Sequence, residues 1–430
     1  MGAWRKFCLG AAGVALIPLA AGLAAGRPGL WEPAAVAAAV GLALGFGGWP
    51  ALRGYQFTAW ILAAVAAGLI YPAAFSHWGG VDLRNRWVIL FVVQAVMFGM
   101  GTQMSLRDFA GVARNPRGVL VGLVCHFSVM PLVGLALTKI FAFPPEIAAG
   151  IILIGSCSSG LASNVMAYLA RANLALSVTV TAVTTLVAPF LTPLWMKFLA
   201  GRLVAVSVPA MMREIVEIVI VPIGAALLHD YLKHAPADGR RRVAVAAGVS
   251  AAWLVFLGVG GWGWLAAALP APVTAAAGVV SFFAGAVVAG VVYHALAARG
   301  PRLERLMPVA SMAGIVYFTT VTTAAGRDNL LQVGALLFLA SALHNAAGYC
   351  FGYFLSRGAG LDVNSARSVA FEVGLQNGGM ASGLAGAMGK LGTVGLAAAI
   401  FSPWMNVSGS VLANYWKRRP PRDAAPAPAS

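Results

Sequence analysis

The chain alternates apolar runs of about 20 residues with short polar or basic segments along its whole length. A helix of that length crosses a hydrocarbon core of about 30 Å. The short alternating segments typical of transmembrane β-barrel strands do not occur. We therefore predict an all-α, polytopic membrane protein with about 14 transmembrane helices. The predicted spans are 7–26, 33–51, 55–77, 87–104, 118–141, 147–170, 173–199, 207–231, 243–269, 272–298, 306–325, 329–356, 366–389 and 391–416.

Composition and charge support this class. Of the 430 residues, 60% are hydrophobic and 10% are charged, whereas a soluble domain carries about 25% charged residues. The net charge of +16 would suit nucleic acid, but 20 of the 29 Lys and Arg residues lie in the segments on the same side of the membrane as the N-terminus. The positive-inside rule then predicts an inner (plasma) membrane protein with both termini cytoplasmic. We expect contact with anionic lipids and no nucleic-acid partner.

Two spans are interrupted by small and polar residues. Residues 155–181 read GSCSSGLASNVMAYLARANLALSVTVT, and residues 371–380 read FEVGLQNGGM. Within a bilayer, irregular backbone persists only where it is buried in protein or lines a water-filled cavity. A pair of interrupted helices is typical of the binding sites of secondary transporters. The pattern therefore predicts a transporter.

Glu372 is the one acidic residue deep within a predicted span. A charge there costs about 2.5–3.5 kcal/mol on insertion scales and usually marks an ion path or a proton relay. Gln376 and Asn377 follow it, among glycines that loosen the helix. One carboxylate with neutral oxygens favours a monovalent cation, so we predict a Na⁺ site between the two breaks. A polar network that only joins helices and a proton relay through Glu372 are the alternatives.

Ser177 and Thr181 are four residues apart, so their hydroxyls share one helix face that can look towards Ser163 and Asn164. No nucleophile–base pair, metal motif or signalling domain is recognisable, and the cysteines show no metal or disulfide spacing. We predict that the chain is not an enzyme and uses no cofactor, with Na⁺ as the coupling ion.

Several motifs resemble those of the bile acid–sodium symporter (BASS) family over about residues 55–416, apart from the ninth and tenth spans. These motifs are FGMGTQMSL, PPE, GLASNVMAYLARANLALSVTVTAV, LHNAAGY, EVGLQN and NVSGSVLANYW. The resemblance implies ten core helices in two inverted five-helix repeats. It also implies two broken helices that cross at mid-membrane, where a core domain moves against a panel domain.

The resemblance divides the chain into five parts. They are two accessory helices (1–54), the first repeat with the start of the second (55–231), an inserted helix pair (232–300), the rest of the second repeat (301–417) and a disordered tail (418–430). The first span is also similar to a signal peptide, but a plain helix is favoured because another apolar run follows directly. We expect the inserted pair on the panel side, supporting the scaffold or an oligomer contact. The oligomeric state is left open.

The resemblance also assigns two sodium sites. The first matches Ser163, Asn164, Ser177, Thr181 and Glu372, all of which are present. The second matches Glu372, Gln376 and the carbonyls of Val373 and Leu375, but His126 stands where the family has a glutamine. A neutral imidazole is a poor Na⁺ ligand. The second ion is therefore lost, bound through water or replaced by a proton. The alternative is that His126 is a hydrogen-bonded packing residue.

The implied substrate positions are Leu161, Asn377, Met405 and Asn406, of which Leu161 and Met405 replace a Thr and a His of the family. The loss of two polar groups alters which anion fits. We predict sodium-coupled symport of an organic anion, either a bile-acid-like steroid or a small keto or hydroxy acid, across the inner membrane. The alternative is a proton-coupled or sodium-independent organic-anion carrier or efflux permease of the same fold.

Overall fold

The computed structural model describes residues 2–49, 52–300 and 302–420. Within these ranges the chain is helical apart from loops and one small hairpin, in which β1 (His77–Trp78) pairs antiparallel with β2 (Val81–Asp82). Most of the predicted disordered tail, from residue 421 onward, lies outside the described residues. The prediction of an all-α membrane protein is confirmed.

The helices of the first half are α1 (Gly2–Ala24), α2 (Pro28–Phe46), α3 (Gln56–Ile70), α4 (Arg86–Gly101), α5 (Leu106–Phe109), α6 (Gly111–Arg114), α7 (Pro116–Ile140), α8 (Pro145–Ser156), α9 (Ala162–Leu169) and α10 (Leu174–Trp195). Those of the second half are α11 (Val208–Ile215), α12 (Val221–His234), α13 (Ala237–Phe256), α14 (Trp262–Ala268), α15 (Ala271–Arg299), α16 (Arg302–Ala325), α17 (Arg327–Gly358), α18 (Val363–Gly374), α19 (Gly378–Ala387) and α20 (Val394–Lys417).

In the described part of the chain, nine helices are long and apolar enough to cross a membrane. A tenth crossing results if α4 and the segment Leu106–Arg114, bent by 72° from it, count as one span. The remaining predicted spans coincide with helices that are short or interrupted, namely α3, α8 with α9, α11 with α12, and α18 with α19. Each of the fourteen predicted spans thus coincides with a helix or a helix pair. In five of them, no single helix of the described residues is by itself long and apolar enough to cross a membrane.

Both predicted breaks are present. The first separates α8 from α9, and the second separates α18 from α19. The two breaks cross, because Ser159 pairs antiparallel with Gln376. The backbone N–H of Gly160 donates to the carbonyl of Leu375 (2.9 Å), and that of Asn377 donates to the carbonyl of Ser158 (2.8 Å). Each break therefore satisfies backbone groups of the other, as a low-dielectric environment requires.

The crossing lies in one of two helical bodies. In the first body, which we call the core body, α7, α8, α9, α10, α17, α18, α19 and α20 pack around the two breaks. In the second, the panel body, α3 and α4 pack on α16, and α4 also packs on α12, which continues from α11. The core body contacts the panel body mainly through α19 against α4 and α10 against α11.

Two further helix pairs lie beside the panel body. Helix α1 packs on α2, which packs on α3, while α15 packs on α12 and α13. Three segments have wider, π-helical turns that the sequence reasoning did not predict: Met196–Ala200, Val216–Ile220 and Leu257–Gly261. In the last of these, Gly260 has a φ of 107°, a conformation that favours glycine. The domain boundaries and the supporting role of the inserted pair stay predictions.

Candidate functional site

Glu372 lies in the last turn of α18, immediately before the second break, and is fully buried. Its carboxylate accepts hydrogen bonds from two hydroxyls of α10. Ser177 Oγ donates to Oε1, and Thr181 Oγ1 donates to Oε2 at 2.8 Å. The spacing of four residues on α10 therefore directs both hydroxyls to one carboxylate.

Helix α9 brings the other two predicted residues to the same place. The side-chain oxygen of Asn164 lies 2.9 Å from Ser177 Oγ and 3.2 Å from Thr181 Oγ1, whose single protons are already donated to Glu372. Ser163 Oγ lies 3.3 Å from Thr181 Oγ1 and donates to the carbonyl of Gly160 (2.8 Å). The structure thus gathers Ser163, Asn164, Ser177, Thr181 and Glu372 from three helices into one set, which we call the Glu372 cluster.

The Glu372 cluster is rich in oxygen and holds one acidic group. Among the described side chains, no Lys, Arg or His nitrogen lies within ion-pair distance of the Glu372 carboxylate. A buried carboxylate without a counter-charge is costly, and two hydroxyl donors offset only part of that cost. Oxygen donors around one negative charge are what a hard monovalent cation prefers, so the cluster fits Na⁺.

Two neighbours of the cluster were missing from the predicted set. Ser159 Oγ lies 3.4 Å from Ser163 Oγ and donates to the carbonyl of Leu375 (3.3 Å). Thr184 Oγ1 accepts from the backbone N–H of Ser159 (3.3 Å). Thr184 lies seven residues after Ser177 and therefore on the same helix face, a periodicity that would have identified it.

The groups predicted for a second sodium ion form hydrogen bonds with one another and with backbone groups of the two breaks. The ring nitrogens of His126 contact two carbonyls, Nδ1 that of Glu372 (2.9 Å) and Nε2 that of Cys157 (2.8 Å). Gln376 Nε2 donates to the carbonyl of Val373 (2.8 Å), and the carbonyl of Leu375 already accepts from the first break. The Oε1 atom of Gln376 is buried without a hydrogen-bond partner.

A cavity of about 320 Å³ lies between the core and panel bodies, next to the crossing. All four predicted substrate positions, Leu161, Asn377, Met405 and Asn406, line it. The panel body contributes mostly apolar side chains, and the polar lining consists of amides and hydroxyls. The described lining residues include no Lys, Arg, His, Asp or Glu. Larger grooves of about 490 and 510 Å³ lie between the panel body and α15, away from the crossing.

Two helices begin at this cavity. Helix α9 starts at Ala162 and α19 at Gly378, and both residues line the cavity. Asn377 caps α19, since its side-chain oxygen accepts from the backbone N–H of Met380 (3.0 Å). Several N–H groups at these two starts already donate within the protein, but each helix N-terminus still carries a partial positive charge, which attracts anions. The cavity therefore suits an anion although no cationic side chain lines it.

The chain is similar in sequence to proteins of a known family. A sequence model of the Sodium Bile acid symporter family matches residues 89–265. The uncharacterized sodium-dependent transporter YocS of Bacillus subtilis (strain 168) is 32% identical over 367 residues, which cover 85% of this chain and 92% of YocS. The chain belongs to the sodium bile acid symporter family. The resemblance drawn from the motifs is thereby confirmed.

Other members of the family are similar at lower identity. The probable sodium/metabolite cotransporter BASS1, chloroplastic, of Arabidopsis thaliana is 28% identical over 367 residues, covering 85% of this chain and 74% of that protein. The human ileal sodium/bile acid cotransporter is 25% identical over 296 residues, covering 67% and 66%. As a member of this family the chain is a multi-pass membrane transporter rather than an enzyme. The names of these relatives differ in substrate, so family membership does not identify the substrate of this chain. The lining of the cavity is the remaining source of information on it.

Proposed function

We propose that this symporter-family protein couples Na⁺ entry to the import of a small organic anion across the inner membrane. The observation that carries the proposal is the convergence of α9, α10 and α18 on the buried Glu372 carboxylate. Na⁺ bound there would join the two broken helices on the side opposite their cavity-lining ends. Because α9 and α19 begin at the cavity, an ion that orders the breaks also orders the anion site, which gives the coupling between the two ligands.

The cavity favours the small keto or hydroxy acids over the steroid. Its volume of about 320 Å³ lies at the lower end of the range of about 300–1,000 Å³ for ligand pockets. A carboxylate placed between the starts of α9 and α19 would lie at the positive ends of both helices. The amides of Asn377 and Asn406 would then bind a neighbouring keto or hydroxyl group.

The cavity residues also indicate which side is open. Gly54, Gln103 and Pro308 line the cavity, and each lies within four residues of an arginine in a segment that the positive-inside rule assigns to the cytoplasm. Lys390 and Glu146 form an ion pair at the opposite end of the core body. We therefore interpret the arrangement as inward-facing, with the anion released towards the cytoplasm.

The first test is the thermal stability of the purified protein across a Na⁺ titration, with choline holding the ionic strength constant. A ligand that binds only the folded state stabilises it by about 2.7 kcal/mol at one hundred times its dissociation constant. We expect a saturable shift to higher melting temperature that K⁺ does not produce. A response equal to that of K⁺ at every concentration would contradict the proposal.

A transport measurement distinguishes coupling to Na⁺ from coupling to H⁺. Labelled 2-keto and 2-hydroxy monocarboxylates would be offered to proteoliposomes under an inward Na⁺ gradient, and separately under a pH gradient without Na⁺. We expect accumulation only with the Na⁺ gradient. Accumulation driven by the pH gradient alone would favour the proton-coupled carrier instead.

The polarity of the cavity gives a further prediction, on Ala162. In Ala162→Asp a carboxylate stands at the start of α9, where the substrate carboxylate is proposed to bind. Like charges this close repel, and 1.4 kcal/mol corresponds to a factor of ten in affinity. We expect at least a tenfold rise in the substrate concentration needed for half-maximal uptake, with the Na⁺-dependent stabilisation unchanged.

The matched control is Ala162→Asn, which has nearly the same shape and no charge. Its uptake should remain within a few-fold of wild type. Equal losses in Ala162→Asp and Ala162→Asn would mean that size rather than charge is sensed at this position. The proposed binding mode of the anion would then be wrong.

A further inference from the structure

His126 connects the two breaks from a third helix. It lies on α7, is fully buried, and packs edge-on against Phe127. Its two ring nitrogens reach the carbonyl of Cys157, which caps α8, and the carbonyl of Glu372 in the last turn of α18. The imidazole therefore spans the end of one half-helix and the end of the other, beside the Glu372 cluster.

Both partners of the ring are carbonyl oxygens, which only accept hydrogen bonds. With one proton, the ring donates to one carbonyl, and its unprotonated nitrogen faces the other carbonyl without a hydrogen bond. With two protons it donates to both and is a cation. In neither state does the ring offer a lone pair to a metal ion, and in both states it covers the two carbonyls. A glutamine at this position would differ, because its amide has an acceptor oxygen besides its donor group.

Most of the other groups of the predicted second sodium site also accept hydrogen bonds within the protein. The carboxylate of Glu372 accepts from Ser177 and Thr181, the carbonyl of Val373 accepts from Gln376, and the carbonyl of Leu375 accepts from the first break. Among these groups the side-chain oxygen of Gln376 is the one without a partner. Because a carbonyl oxygen keeps a second lone pair when it accepts one hydrogen bond, the ligand that this place lacks is the side-chain oxygen that a glutamine at position 126 would supply.

We propose that this transporter binds a single sodium ion, at the Glu372 cluster, and that the side chain of His126 takes the place of a second ion. The proposal rests on the Na⁺ coupling proposed above and adds its stoichiometry. An ion that joins the two breaks leaves during each transport cycle, whereas His126 belongs to the chain and stays. One Na⁺ carried with one monovalent anion moves no net charge, so transport of such an anion is insensitive to membrane potential.

The test counts bound ions by equilibrium dialysis of the full-length protein against ²²Na⁺, with Na⁺ as the only ligand. We expect one Na⁺ per wild-type chain and two per chain in His126→Gln, with a steeper dependence on Na⁺ concentration. The control is His344→Gln. His344 is a second buried histidine, on α17, with one ring nitrogen on the carbonyl of Met130 (2.8 Å). That variant should bind one Na⁺.

The outcomes separate this inference from the proposed function. Two Na⁺ per wild-type chain would overturn the inference and leave Na⁺ coupling intact, and so would a count of one in folded His126→Gln. No saturable Na⁺ binding by wild type would overturn the proposed function, and the inference with it. If His126→Gln does not fold, the wild-type count decides, since one ion supports the single site and two contradict it.

Discussion

Replacing Glu372 with glutamine is expected to abolish Na⁺-driven uptake and Na⁺-specific stabilisation together. The substitution keeps the shape of the side chain and removes the one negative charge of the cluster. It also places an NH₂ group, which only donates, opposite the hydroxyl of Ser177 or Thr181. The variant would lose the stabilisation of about 2.7 kcal/mol expected at one hundred times the wild-type dissociation constant. The measurements are the melting temperature across a Na⁺ titration and uptake into proteoliposomes.

The control is Glu214→Gln, on α11 and outside the cluster. It removes a carboxylate from a membrane helix without touching the crossing, so its Na⁺ response should equal that of wild type. In Na⁺-free buffer, Glu372→Gln should be at least as stable as wild type, because an uncompensated buried charge has been removed. A Glu372→Gln protein that still shows the full Na⁺ shift would exclude the cluster as the ion site.

The sequence was sufficient to indicate the Glu372 cluster because the chemistry of this cluster is unusual for a membrane chain. A carboxylate deep in an apolar run and hydroxyls spaced by one helical turn are visible without any structure. The two breaks are equally visible, since residues 155–161 and 374–379 hold too many glycines and small polar residues for uninterrupted lipid-facing helices. What these local signals predicted, namely two breaks and a cluster that includes Glu372, is what the structure assembles.

The pairing across the crossing could not be obtained in the same way. Ser159 and Gln376 are more than two hundred residues apart, and their register is decided by how α7, α8 and α18 pack together. The contacts of His126 depend on the same packing. The position of the ring depends on how α7 is rotated about its own axis. That orientation brings α7 close to α8, as at Gly134, where an added Cβ would lie 3.1 Å from the carbonyl oxygen of Ile151. Sequence reasoning identified the histidine but not its two carbonyl partners.

Because the two breaks exchange backbone hydrogen bonds, the cluster and the cavity are two faces of one structure. Asn164 faces the cluster three residues after Leu161 faces the cavity, and Asn377 caps α19 five residues after Glu372. A change in the separation of the breaks therefore alters both sites at once. In the proposed function this is how ion binding would alter anion affinity, and it makes the close contact between the two breaks a sensitive position.

That contact is at Gly160, and Gly160→Ala is expected to abolish transport. An added Cβ would lie 2.6 Å from the carbonyl oxygen of Gln376, a backbone atom that cannot move without displacing the second break. Overpacking in a well-packed interior costs about 1–3 kcal/mol, and here it would also stretch the hydrogen bond from Gly160 to Leu375. We expect a lower melting temperature, a weaker Na⁺ shift and no uptake.

Two comparisons make this prediction specific. At Gly378 an added Cβ would overlap the side chain of Ser402 rather than backbone, so the loss in Gly378→Ala should be partly restored by adding Ser402→Ala. No side-chain substitution should restore Gly160→Ala. At Gly224, on α12, an added Cβ meets nothing within 4 Å, and Gly224→Ala should keep full activity. Normal uptake by Gly160→Ala would mean that the two breaks can separate without uncoupling the ion from the anion.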